Sequence, residues 1–355
     1  MHPIIDAARA NLEEDLWNYI AGAAETETTA RRNRLGLDSL ALRPRVLRDV
    51  ATIDASGSLL GHRLRIPVLL APIGALEMIT PEGGTASALA AERFGTLAII
   101  SSVAEPTVEA VAAAGAGPKI SQLYIRGGEA WVDELVDRVV AAGYAAITLT
   151  VDTAYYGRRE RQMRRGWLPP GHRDGSADLT WQPRLTWEWL ERIRDRAGLP
   201  LIVKGIQTAE DAELAVEHGV EVIYVSNHGG RELDQAEAAI ETLREVVDVV
   251  GDRAEIVVDG GFMRGTDVLK AIALGARAVG LGRLQAFALA AGGAPVLVRA
   301  LELLEEEIRT SMGLLGVSSI GELDASFVRR SQALGAASVL AAAYPPEHPD
   351  WPTPG

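Results

Sequence analysis

Eight short apolar runs recur along the chain, each followed by a segment whose apolar positions switch to helical spacing. They are Val68 to Gly74, Leu97 to Ser102, Ile120 to Tyr124, Ala146 to Asp152, Leu201 to Ile206, Val222 to His228, Glu255 to Gly261 and Ala278 to Arg283. Runs of this length bounded by turn residues predict strands buried on both faces. Between them, Glu129-Ala-Trp-Val-Asp-Glu-Leu-Val-Asp-Arg-Val-Val puts Trp131, Leu135, Val136 and Val139 on one face, the pattern of an amphipathic helix. Gly95, Gly143, Gly198, Gly219, Gly251 and Gly275 stand where such helices would stop in a left-handed turn. Regular βα alternation implies an all-parallel sheet, and an open doubly wound sheet and a closed barrel both satisfy it.

The placement of polar residues separates the two. Almost every run ends in them: Ser101-Ser102, Gln122 with Tyr124, Thr150 with Asp152, Lys204, Asn227-His228, Asp259-Gly260-Gly261 and Gly282-Arg283. Ordinary turn residues at strand ends would account for the glycines but not for Lys204 and His228. In a barrel all these ends meet around one mouth, so the expected fold is α/β, a (β/α)8 TIM barrel. The longest connection, Thr153 to Pro200, follows the fourth run and has the character of an active-site loop. Ahead of the barrel, Asp6 to Glu27 reads as helical and Ser56 to Leu64 as a hairpin; after it, Pro295 to Met312 reads as helical. Residues 1–344 are expected to form a single domain and the Pro-rich residues 345–355 a disordered tail.

Length and composition narrow the function. At 355 residues the chain fits one barrel with extensions, and 48% hydrophobic with 23% charged residues is the composition of a soluble globular protein. A formal charge of −13 disfavours nucleic acid and anionic membranes and favours small-molecule partners. Absence of cysteine excludes disulfides, thiolate metal sites and a cysteine nucleophile. The most apolar stretch, Leu281 to Val298, is interrupted by Arg283, Gln285, glycines and Pro295, so no membrane span and no signal peptide are expected, and the default location is the cytoplasm.

Several strand-end residues can carry chemistry. Gly260-Gly261 and Gly282 close the last two runs beside Arg264 and Arg283, the place where βα barrels commonly hold a phosphate. Ser226-Asn-His-Gly-Gly-Arg231 sets an imidazole, able to accept a proton near neutral pH, close to a guanidinium able to grip a carboxylate. A lone histidine is more often structural; here the flanking glycines, Arg231 and the strand-end position favour a base. Lys204 can serve as a Schiff-base amine or as a fixed cation. The six histidines show no metal-ligand spacing, so no metal is expected. The run Arg158, Arg159, Arg161, Arg164, Arg165 can be a solvated face or supply one residue to an anionic substrate.

At these residues the sequence resembles the FMN-dependent 2-hydroxy acid oxidase and dehydrogenase family, which includes glycolate oxidase, lactate oxidase and mandelate dehydrogenase. Ser226 to Arg231 is similar to that family's active-site motif. Further similarity lies at Tyr19-Ile-Ala-Gly-Ala, Pro44-Arg-Val-Leu-Arg-Asp-Val, Leu70-Ala-Pro72, Gln122-Leu-Tyr124, Leu149-Thr-Val-Asp-Thr153, Gly157-Arg-Arg-Glu160, Val203-Lys-Gly-Ile206, Asp259-Gly-Gly261 and Gly282-Arg283. The resemblance implies FMN across a barrel mouth, a homotetramer, and oxidation of an (S)-2-hydroxy acid to the 2-oxo acid, with O2 or another acceptor taking the electrons. It implies His228 as the base, Asp152 as its orienting partner, Arg231, Arg159 and Tyr19 on the carboxylate, and Tyr124 on the C2 hydroxyl. Lys204 would stabilise the anionic reduced flavin. Ser101, Gln122 and Thr150 would hydrogen-bond the isoalloxazine, with Pro72, Ile73 and Gly74 packed along it. Ser226, Asp259, Gly260, Gly261, Arg264, Gly282 and Arg283 complete the implied cofactor set.

Three departures bear on specificity. Met263 stands where the family usually has an arginine on the FMN phosphate, which leaves Arg283 and Arg264 to carry that charge. Glu232 replaces the common glutamine and adds a negative charge near the anion clamp, and Val103 replaces a bulky aromatic of glycolate oxidase, leaving room for a larger substrate. Two rival readings are an FMN enzyme acting on an amine or a specialised biosynthetic intermediate, and a non-catalytic phosphate-binding barrel.

Overall fold

The computed structural model describes residues 1–169, 178–333 and 338–344. Eight parallel strands close into a barrel in chain order: β1 (Val68–Leu70), β2 (Ala98–Ser101), β3 (Lys119–Leu123), β4 (Ala146–Thr150), β5 (Leu201–Ile206), β6 (Val222–Val225), β7 (Glu255–Val258) and β8 (Ala278–Leu281). Each predicted run contains one strand, and most strands stop before the polar end of the run, which has left the hydrogen-bonded ladder to form the mouth.

Side chains alternate across each strand, and this period of two sorts the site from the core. Leu69, Ile99, Ile120, Ala146, Ile202, Val222, Tyr224, Val257 and Ala278 pack together inside the barrel. Leu59 and Leu64, from the expected hairpin Gly57–Leu59 and His62–Leu64, join that cluster. The hairpin plugs the N-terminal end, where Leu60 N–H donates to Glu255 at the start of β7. Continuing upward by twos reaches Ser101, Gln122, Thr150, Lys204, Ser226, Asp259 and Gly282. The intervening residues, among them Ile100, Leu149, Val203, Ile223 and Val258, face the surrounding helices in the main core.

The N-terminal segment departs from the single helix expected over Asp6 to Glu27. It forms α1 (His2–Asn11) and α2 (Glu14–Ala21), with Leu12 extended between them, and α3 (Thr28–Asp38) follows after Glu25 and Glu27 take positive φ. The break has a packing cause: α1 buries Ile4, Ile5 and Ala8, and Asn11 donates to the Ala290 carbonyl, so α2 must turn to carry Tyr19 to the mouth.

The helix expected from Pro295 is the second half of a longer one, Arg283–Leu315, broken at Gly292 and Gly293. By length and composition it is the one helix among the described residues apolar enough to cross a membrane. It instead lays Leu297, Leu301, Leu304, Ile308 and Met312 into the barrel wall, wholly buried. In the helix Glu129–Ala141, Val132 takes the core position predicted for Trp131, which lies against Gly127 and is partly exposed. The expected tail, 345–355, lies outside the described residues.

Candidate active site

A cavity of about 760 Å³ opens at the C-terminal ends of the strands, within the range of small-molecule sites. Tyr19, Pro72, Ile73, Gly74, Tyr124, Arg159, Lys204, His228, Arg231, Asp259, Gly260, Gly261, Gly282 and Arg283 line it. Ser101, Gln122, Thr150 and Ser226 are buried. Asp152 is reached through His228.

His228 takes a left-handed φ of 56°, followed by Gly229 and Gly230 at 64° and 75°. Gly230 is obligatory here: a Cβ would come within 2.5 Å of Ala30 N in α3. Such a turn costs about 1–2 kcal/mol at a non-glycine residue and persists only where its surroundings enforce it. Those surroundings are hydrogen bonds. Asn227 and Asn33 exchange amide bonds of 2.8 Å, and Asp234 accepts from Thr26 N, Thr29 N and the Thr26 hydroxyl, locking the strand-end loop onto α3.

The imidazole Nδ1 lies 2.9 Å from Asp152 Oδ1. Burial opposes charge on this carboxyl, but His228 and Lys204 outweigh it and hold it below the usual carboxylate range. An ionised Asp152 can only accept, so Nδ1 carries a proton in this pair, and Nε2 is the nitrogen left to exchange a proton with a substrate. Gly205, at φ 118°, permits this: a Cβ there would meet Asp152 Cβ at 2.7 Å, and the strand irregularity beside Lys204 brings the two residues together.

The two predicted clamp arginines converge. Arg231 donates to the carbonyls of Tyr19 and Gly22 at 2.6 and 3.0 Å, and its guanidinium lies 4.9 Å from the Tyr19 ring centre. Burial, then the neighbouring Arg159, lowers its pKa. Arg159 donates to the Tyr156 hydroxyl at 2.7 Å and pairs with Glu232 at 2.5 Å, both partners of that pair being buried. Tyr124, also on the cavity, is driven well above the ordinary phenol range by burial and by Asp152 and Glu232, so it acts as a neutral hydroxyl.

The remaining polar groups fit FMN. Gln122 accepts from Ser101 at 2.6 Å, yet its Nε2 and the Thr150 hydroxyl are buried without a partner. Each would cost about 1–3 kcal/mol if left so, and a ring bearing carbonyl and ring-nitrogen edges would satisfy both. Lys204 donates to Ser226 at 2.9 Å and lies 3.6 Å from Asp259, a cation at the floor of the cavity. Gly282 caps the helix beginning at Arg283, and a Cβ on it would meet no protein atom, leaving a helix N-terminus open to a phosphate.

Arg264 does not belong to this set. Its guanidinium pairs with Glu307 at 2.8 Å and donates to the Ala342 carbonyl, outside the cavity, because Asp267 captures the Met263 and Arg264 amides and turns the side chain outward. Met263 is buried beside Ile5, Ala8, Leu12, Ile20 and Phe287. Arg283 is then the basic side chain nearest that helix end. It donates to the carbonyls of Ile20, Gly22 and Gly229, and burial with Arg231 beside it depresses its pKa to about 9.

Sequence reasoning missed Tyr156, Arg126 and Trp167. Tyr156 and Arg126 line the cavity, and the Trp167 ring packs 5.3 Å from that of Tyr19. Tyr156 and Trp167 flank the arginine-rich run, which was the available signal.

Comparison with known proteins places the chain among flavin enzymes. Residues 8–330 match the model of a family described as FMN-dependent dehydrogenase. The chain is 38% identical over 347 residues to an L-lactate oxidase of Nostoc sp., covering 90% of this chain and 95% of that one. It is 39% identical over 345 residues to a glycolate oxidase of Spinacia oleracea, covering 90% and 93%. A solved structure of mandelate oxidase superposes with a TM-score of 0.86 at 38% identity, over 94% of this chain and 99% of that one.

Proposed function

The chain belongs to the FMN-dependent dehydrogenase family, and on that premise we propose how its own residues divide the work. It is an FMN-dependent enzyme that oxidises an (S)-2-hydroxy acid to the 2-oxo acid, with O2 or another acceptor regenerating the cofactor. Its relatives are named as hydroxy acid oxidases, which favours this over an amine substrate or a non-catalytic barrel.

When bound, FMN supplies a two-electron acceptor. Gln122, Ser101 and Thr150 would hold its ring, Pro72 to Gly74 would pack along it, and Gly260, Gly261, Gly282 and Arg283 would take its phosphate. Lys204 would place positive charge where the reduced ring gathers negative charge. Arg231 and Arg159 orient the substrate carboxylate, Tyr124 hydrogen-bonds the C2 oxygen, and His228 Nε2 accepts the proton that leaves the C2 centre. Asp152 then faces an imidazolium and stabilises it.

The carrying observation is that His228, paired with Asp152, lines the same cavity as Arg231 and Arg159. The test is product analysis: holoenzyme given a panel of 2-hydroxy acids should form the 2-oxo acid in proportion to O2 or dye consumed. No oxo acid from any member would contradict the assignment. The homotetramer implied by the resemblance finds support in Val46 and Leu47, adjacent apolar residues that stand fully or nearly fully exposed, with Leu47 in a left-handed turn. Light scattering showing a monomer would remove it.

A further inference from the structure

Glu232 sits against one arm of the anion clamp. One carboxylate oxygen pairs with Arg159 at 2.5 Å and the other accepts from Gly157 N–H at 2.6 Å, and the side chain is only 7% exposed. Tyr156 takes another edge of the same guanidinium at 2.7 Å, its ring 4.1 Å from the guanidinium carbon. Arg159 therefore enters the site already neutralised and partly enclosed. Arg231, which donates to backbone carbonyls and pairs with no carboxylate among the described residues, still attracts an anion, but a carboxylate placed against Arg159 would lie beside that of Glu232 in a poorly solvated pocket, where like charges repel. A primary amide would meet no such penalty: its carbonyl accepts from the arginines and its N–H donates to Glu232.

Resting on the hydroxy-acid reading above, we infer that Glu232 is a specificity-determining residue that tunes the site toward 2-hydroxy carboxamides, the neutral counterparts of 2-hydroxy acids. The oxidation is otherwise the same. The C2–H and O–H bonds break and a C2=O bond forms; two electrons and one of the two hydrogens pass to the FMN that the proposed reaction already uses, and the other hydrogen leaves as a proton to His228.

The test uses FMN-loaded enzyme with mandelate and mandelamide as substrates, and benzoylformate and benzoylformamide as non-oxidisable probes read by the flavin difference spectrum. In the wild-type protein the amide probe should bind at least as tightly as the acid probe; acid binding about tenfold tighter would overturn the inference without any variant. In Glu232→Gln the acid should gain about tenfold or more in affinity and kcat/KM, while the amide changes less than about threefold. An unchanged acid-to-amide ratio would equally overturn it. If neither substrate reduced the flavin, the functional reading would fall while the binding ratios still decided the role of Glu232.

Discussion

Asp152 Oδ1 stands 2.9 Å from His228 Nδ1, while its second oxygen is buried with no hydrogen-bond partner. The carboxylate thus has one job, to fix the tautomer and charge of that imidazole. Asp152→Asn should leave FMN bound and lower the rate of flavin reduction by about 10²–10⁴-fold, since an amide cannot stabilise the imidazolium. Stopped-flow reduction at saturating substrate checks this, and a loss under about threefold would refute it.

Lys204 should set the redox poise of the bound cofactor. Its ammonium reaches Ser226 and Asp259 at the cavity floor. Lys204→Met removes a positive charge from a buried site, so the midpoint potential of the flavin should become more negative, on the order of tens of millivolts. A redox titration against reference dyes reads the shift; an unchanged potential would place the lysine away from the ring.

Arg283 should link cofactor affinity to pH. Burial and Arg231 depress its pKa to about 9, so without a counter-anion its proton is lost as pH rises through that value. Before that loss the buried charge costs stability, and deprotonation relieves the cost. A phosphate beside it would favour the charged form, so FMN affinity should be level below about pH 9 and fall above it, by at most about tenfold per unit. Riboflavin, lacking the phosphate, should show no such fall. Parallel fluorescence titrations of the apoprotein distinguish the cases, and identical profiles would contradict the assignment.

The buried pair Arg34–Asp267, at 2.8 Å, should hold up the phosphate end of the mouth. Asp267 also accepts from the Met263 and Arg264 amides, just after the Gly260-Gly261 turn. Asp267→Asn takes away one of the two carboxylates on Arg34, which keeps its pair with Asp38 at 2.7 Å, and should cost about 1–3 kcal/mol in urea unfolding of the apoprotein. A change below about 1 kcal/mol would mean that the loop is held by other contacts.

The barrel was legible because almost every strand announces itself twice, by a β-type apolar run and by a polar residue or glycine at the inward parity of its upper end. Lys204 illustrates this, two residues above Ile202 on the same face of β5. The polar mouth residues at the strand ends followed from the same pattern, whereas Tyr19, Arg159 and Pro72 to Gly74 were marked by the family resemblance. Arg264 did not, because a side chain's direction after a strand depends on which carboxylate takes it, and Glu307 comes from a helix far along the chain. The break after α1 was likewise invisible, since its cause is a bond from Asn11 to the Ala290 carbonyl. That Glu232 pairs with Arg159 is legible only in three dimensions: the two are 73 positions apart, and charge patterning along the chain cannot join them.

The most direct test of the account is anaerobic flavin reduction in wild-type enzyme and in His228→Ala, each reconstituted with FMN and mixed with a 2-hydroxy acid that the wild type oxidises. The account predicts bleaching of the wild-type flavin, and in the variant an intact yellow complex whose reduction is slower by about 10²-fold or more. Reduction of the variant at the wild-type rate, with FMN bound in both, would contradict it.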